Sequence, residues 1–258
     1  MRYILVFLSV FFLLTVSCSQ EDPKPGPESE EYRQAVSDFY VSLAASETDE
    51  ARFAFNKMNE IARQFPEEAA AWANLGVFAM RQGNFDLAGE RFSQAREAAP
   101  GQPEVLYLSG MYSARIGDID AAVSFYDEAA RAAEAANHAK NPRILFSLLE
   151  ALERQDEAAN AGRINEVLER LYAIAPENQA VLYEKARLAV RSRNAAGIEE
   201  ALAELQSFES YWTDEAKEQF SLLEELSAEQ AWSELSLELV FLRNMLEPTP
   251  EFQDDAAV

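Results

Sequence analysis

A single histidine and a single cysteine stand among the 258 residues, and that scarcity removes most of the chemistry a chain of this size could carry. Ser/His/Asp and Cys/His relays need an imidazole. The only one, His138, lies in AANHAKNP, where a helix is expected to end, and there it reads as an exposed or capping group. Zinc sites need clustered Cys and His, and no such cluster can be assembled from one of each. Asp118 and Asp120 in GDID lack the further oxygen ligands of a calcium loop, so they read as turn and first-turn residues. No metal or cofactor is implied, and the expectation is a protein that is not an enzyme.

Positive charge is also scarce: 22 Lys+Arg against 45 Asp+Glu leave a net charge of −23. Such a surface repels phosphate backbones and anionic head groups, which argues against nucleic acid as a ligand. The carboxylates fall among Arg and Lys on polar faces, as in EEYRQ, so no acid–base pair stands out. Nine glycines and ten prolines are too few for a turn-rich β-protein, and helices are expected to dominate. With 48% apolar residues the chain has ample material for a core and does not read as disordered.

Long apolar runs are missing too, except at the start. After Arg2, the stretch Ile4 to Leu14 (ILVFLSVFFLL) is interrupted only by Ser9. It is about half of the ~20 residues a spanning helix needs, and reads as an export signal. Thr15, Val16 and Ser17 lead to Cys18, and the polar SQEDPKPGP follows, which cannot continue a helix. The arrangement resembles a bacterial lipoprotein signal, with Thr15 where Leu is usual and Leu14 one place earlier. That resemblance implies an acylated Cys18 as the first mature residue, with the membrane as a partner through lipid. The competing reading is an ordinary cleaved signal beside an incidental cysteine. In lipoproteins of the enterobacterial type Asp after the cysteine signals inner-membrane retention; Ser19 stands there here, so the resemblance implies a bacterial envelope location at the outer membrane, facing the periplasm.

Two stretches align without a gap at an offset of 34, since 106 − 72, 110 − 76, 117 − 83, 122 − 88, 126 − 92 and 129 − 95 are all equal. They pair Trp72 with Leu106, Gly76 with Gly110, Gly83 with Gly117, Ala88 with Ala122, Phe92 with Tyr126 and Ala95 with Ala129. Gly76 and Ala88 are small where the helices of a hairpin approach closely, and the aromatics fill the space between hairpins. Gly83-Asn84 and Gly117-Asp118 are turn pairs that stop one helix and start the next. This pattern resembles the tetratricopeptide repeat family, whose signature the first unit carries as Trp72, Leu75, Gly76, Gly83, Ala88, Phe92, Ala95 and Pro100.

The fold expected from that resemblance is an all-α, right-handed TPR-like superhelix of about five helical hairpins. Residues 32–66 form a degenerate first hairpin. PRILFSLLEALERQ and INEVLERLYAIAP form a pair joined by a longer connection, DEAANAGR; Gln179 to Phe208 and residues 213–246 complete the stack. The organisation is therefore a signal at 1–17, a lipid-anchor Cys and disordered tether at 18–31, the repeat domain at 32–246 and a flexible tail at 247–258.

In this family the first helix of each hairpin lines a concave, peptide-binding groove. Arg81, Arg115, Arg154 and Arg191 each lie nine residues after a large residue of that helix, at Trp72, Leu106, Leu145 and Leu182. A file of arginines in an acidic chain suits an acidic peptide or a carboxylate terminus. The alternative is that each cation complements a helix C-terminus. Asn74, Tyr107, Met111, Tyr183 and Arg187 face the same groove by spacing. In SELSLELVFLRNMLEP apolar residues occupy almost every side, whereas a terminal repeat helix normally has a polar outer face. Phe241, Leu242 and Met245 are therefore candidate docking residues. The run from Phe39 through LELVFLRNMLEPTPEF resembles the amino-terminal repeat half of exported bacterial FG-GAP/ASPIC-UnbV-type proteins. That likeness implies an alternative role, as the half of a split or truncated protein that docks on a propeller domain.

Overall fold

The computed structural model describes residues 49–136 and 141–249, together with Glu30, Arg33, Gln34, Val36, Ser37, Asp38 and Phe252. The export signal, Cys18, almost all of the tether and His138 lie outside the described residues. Ten α-helices are described: α1 (Asp49–Gln64), α2 (Ala69–Arg81), α3 (Phe85–Ala98), α4 (Pro103–Ile116), α5 (Ile119–Ala135), α6 (Asn141–Ile174), α7 (Gln179–Arg191), α8 (Ala195–Gln206), α9 (Asp214–Ala228) and α10 (Trp232–Leu246). A 3-10 turn, Glu209–Tyr211, precedes α9. No described helix is long and apolar enough to cross a membrane.

Four hairpin tips share one construction. Asn84, Asp118, Asn194 and Ala231 each donate their backbone N–H to a carbonyl five residues back, at 2.8 to 3.0 Å. The residue just before each adopts positive φ: Gly83 at 73°, Gly117 at 85°, Arg193 at 52° and Gln230 at 54°. This is the Schellman ending, in which a left-handed residue lets the chain reverse while orphan carbonyls stay bonded. At three of these tips the side chain then caps the next helix, Asn84 accepting from Leu87, Asp118 from Ala121 and Asn194 from Gly197.

The remaining hairpin is made differently. The connection DEAANAGR is helical, and α6 is broken only at Asp156, whose φ of −167° and ψ of 99° lie outside the helix. Its side chain accepts the N–H of Ala159 and so starts a second arm at 157–174. The first arm meets α5 through Gln155 and Asp120, the second through Arg163 with Asp127 and Arg170 with Glu134. The expected long tip is thus a sharp turn followed by extra helix.

Packing follows the repeat. Ala88, Phe92, Ala95, Ala122 and Ala129 are fully buried, and Trp72 donates from Nε1 to the Pro66 carbonyl at 3.0 Å. In the regular units first helices meet, α2 against α4, while α3 packs on α4. At the carboxyl end the second helix, α10, takes the contact with α7, and α9 packs on α8. Leu235, Leu239, Leu242 and Leu246 point into this contact and are buried. Phe252, beyond the boundary expected at 246, is buried in the same cluster, so the described part of the tail is tied to the core.

Candidate binding groove

The 34-residue register places Arg81 and Arg115 in the last turns of α2 and α4, and Arg154, nine residues after Leu145 as they are after Trp72 and Leu106, lies near the end of the first arm of α6. These three converge with Met80, Met111, Ala114 and Tyr126 on an open groove section of about 680 Å³. Among the described residues, Arg115 and Arg154 form no ion pair. Burial pushes the Tyr126 phenol well above its ordinary value, with Tyr107 and Glu150 adding to the effect. It therefore stays a neutral donor at any physiological pH. A guanidinium cluster beside two thioethers and a phenol can hold carboxylates while covering the apolar stems between them.

The arginine file does not continue. Arg187 is clasped between Glu153 at 2.5 Å and Glu184 at 2.6 Å. Arg191 pairs with Glu153 at 3.3 Å and with Glu157. Both are committed within the protein, which corrects the expectation that they offer charge to a ligand. Tyr107 and Arg187 line a neighbouring cavity of about 530 Å³ with Arg143, Phe146, Glu150, Glu153, Glu184 and Arg243. Opposite charges there balance one another. The Glu184 carboxyl is pushed up by burial and pulled back by Arg187.

Tyr183 is also corrected: it is 2% exposed, part of the core rather than the groove wall. The cause is α10, whose Arg243 guanidinium sits 5.7 Å from the Tyr183 ring centre. Asn74 is half-buried on α2 and lines neither cavity. The docking candidates on α10 separate as well. Leu242 is fully buried and Met245 packs against the core, whereas Phe241 is 46% exposed. Leu242 is thus unavailable to a partner.

Sequence reasoning missed Glu153 and Glu157 as partners of the arginines. Arg187 lies 34 residues after Glu153 and Arg191 lies 34 after Glu157, three short of the 37 that separates the aligned Arg154 and Arg191, so spacing by aligned position did not pair them. No group of three or more His, Cys, Asp or Glu among the described residues could hold a metal ion.

Residues 42–112 match the tetratricopeptide repeat family. No curated protein sequence matches the chain. Among solved structures, PilF of Pseudomonas aeruginosa superposes with a TM-score of 0.61 at 16% identity, covering 88% of this chain and 97% of that one. PilW, a widely conserved type IV pilus biogenesis factor, gives a TM-score of 0.55 at 15% identity, over 86% of this chain and 98% of the other. Acl4, the assembly chaperone of RpL4, gives 0.53 at 15% identity, with 88% and 93% covered. At such identities the likeness is one of fold. Residues 42–112 are thus similar to tetratricopeptide repeats, and the described residues form an all-α, TPR-like superhelix of helical hairpins.

Proposed function

We propose that this protein is a non-catalytic scaffold that holds an acidic stretch of another protein in the groove section at Arg81, Arg115 and Arg154. The observation that carries this reading is the convergence of three arginines from three successive hairpins on one open surface, in a chain of net charge −23. Elsewhere along the same face cations are matched by Glu153, Glu157 and Glu184, whereas Arg115 and Arg154 form no ion pair among the described residues. Two proteins of similar fold, a pilus biogenesis factor and an assembly chaperone, agree with a protein-handling role.

The anchor belongs to the same proposal. Acylation at Cys18 tethers the scaffold to the bacterial envelope, at the outer membrane and facing the periplasm. The motivating feature is the short apolar run ending at the chain's only cysteine. Two measurements test the whole. Envelope proteins captured by the wild type and by the Arg115→Glu/Arg154→Glu variant are compared, and loss of a stoichiometric partner in the variant is expected. Mass spectrometry of the mature amino terminus is expected to find an acylated Cys18, and an unacylated terminus removes the anchor.

A further inference from the structure

The outer side of α10 carries a second apolar surface, unrelated to the groove. Leu237 is 56% exposed, Val240 48% and Phe241 46%. Their i, i+3, i+4 spacing puts them on one stripe. Leu235, Leu239, Leu242 and Leu246 form the buried stripe, and a helical wheel of 100° per residue sets the two on opposite sides. Leu222 of α9 is also exposed. The inner side of α10 packs on α7, so its outer side faces away from the described stack. A terminal repeat ordinarily closes with polar residues there.

Charge says what fits. α10 exposes Glu234 and Arg243, Glu247 follows it, and the neighbouring α9 exposes Glu215, Glu218, Glu225 and Glu229, so carboxylates outnumber cations on this last pair of helices. A second copy of this chain would bring the same carboxylates edge to edge, and anionic membrane is repelled likewise. We infer that this end of the stack receives an amphipathic helix of a partner protein, apolar along one face and rimmed with Lys or Arg. The partner helix lies along α10 as the next helix of the solenoid would, its apolar face on Leu237, Val240 and Phe241 and its cations toward the glutamates of the last helical pair. This site is independent of the groove and opposite to it in charge preference.

The test titrates the full chain with labelled peptides of about 18 residues, about five helical turns. One is a Leu/Lys amphipathic helix, one a scramble of it with the same composition, and one a Leu/Glu amphipathic helix. Leu237→Ser/Phe241→Ser is compared with the wild type, and Phe241→Asn alone replaces it should the double variant melt differently. The Leu/Lys helix is expected to bind, the other two peptides at least about tenfold more weakly, and the variant to lose at least about tenfold, roughly 1.4 kcal/mol. Equal binding of the scramble, or no loss in the variant, means that charge alone attracts the peptide and overturns the inference. Sedimentation showing that the wild type dimerises while the variant does not assigns the surface to a second copy and overturns it too.

Discussion

Gly76 lies so close to Phe92 that a methyl group added to it would sit 2.8 Å from the ring, and 34 residues on Gly110 stands against Tyr126 at 2.6 Å. Both contacts join the two helices of a hairpin, so the missing side chain sets how near the helices come. Gly162, in the second arm of α6, has open space where its side chain would be.

The three glycines therefore respond differently to alanine. Overpacking at Gly76 or Gly110 costs about 1–3 kcal/mol and outweighs the gain in helix propensity of up to about 1 kcal/mol. Gly76→Ala and Gly110→Ala are expected to destabilise. At Gly162 only the propensity gain remains, so Gly162→Ala is expected to stabilise by about 0.5–1 kcal/mol. Urea unfolding midpoints of the three variants check the difference in sign.

Arg193 occupies the left-handed position that Gly83 and Gly117 hold at two other tips, with φ of 52° against 73° and 85°. A side chain there carries a steric cost of about 1–2 kcal/mol that glycine avoids. Arg193→Gly is expected to raise stability by about 1 kcal/mol, and Gly117→Ala to lower it by a similar amount. Thermal melts read both, and a destabilised Arg193→Gly would show that the arginine contributes contacts worth more than the strain.

Burial raises the Glu184 carboxyl above its ordinary value despite the neighbouring Arg187. A carboxyl raised by folding binds its proton more tightly in the native state. Its stabilising share is complete below the unfolded value, about 4.3, and is lost as pH rises through the folded value. The stability difference, wild type minus Glu184→Gln, is therefore expected to fall as pH rises from about 4 into the neutral range. Urea unfolding at several pH values measures it, and a difference that grows with pH contradicts the assignment.

How much was legible in the sequence depended on whether a feature repeats. The 34-residue register located Gly76, Phe92, Gly110, Tyr126 and the tips at Gly83 and Gly117, because identical packing at each unit leaves identical residues. Spacing within the first helix of each hairpin also pointed to Arg81, Met111, Arg115 and Arg154, which line one surface. The misplaced residues sit where the register is broken. Tyr183 holds a groove position by spacing, yet α10 reaches α7 and covers it, and nothing in periodicity shows which helix of the last pair turns inward. Leu242 and Phe241 are adjacent letters in an apolar run, and only the docking direction of α10 decides which one is core. DEAANAGR reads as a long connection because it lies between two clear helices, but Asp156 alone caps a new helix and the rest continues it.

The groove itself is tested most directly by titrating a labelled acidic peptide into the full chain. The surface elsewhere carries a large negative excess and repels such a peptide, so binding reports on Arg81, Arg115 and Arg154. The account predicts binding that weakens with salt and falls at least about tenfold, roughly 1.4 kcal/mol, in Arg115→Glu/Arg154→Glu, whose circular dichroism melt is unchanged. Equal affinity in the wild type and the charge-reversed variant would contradict it.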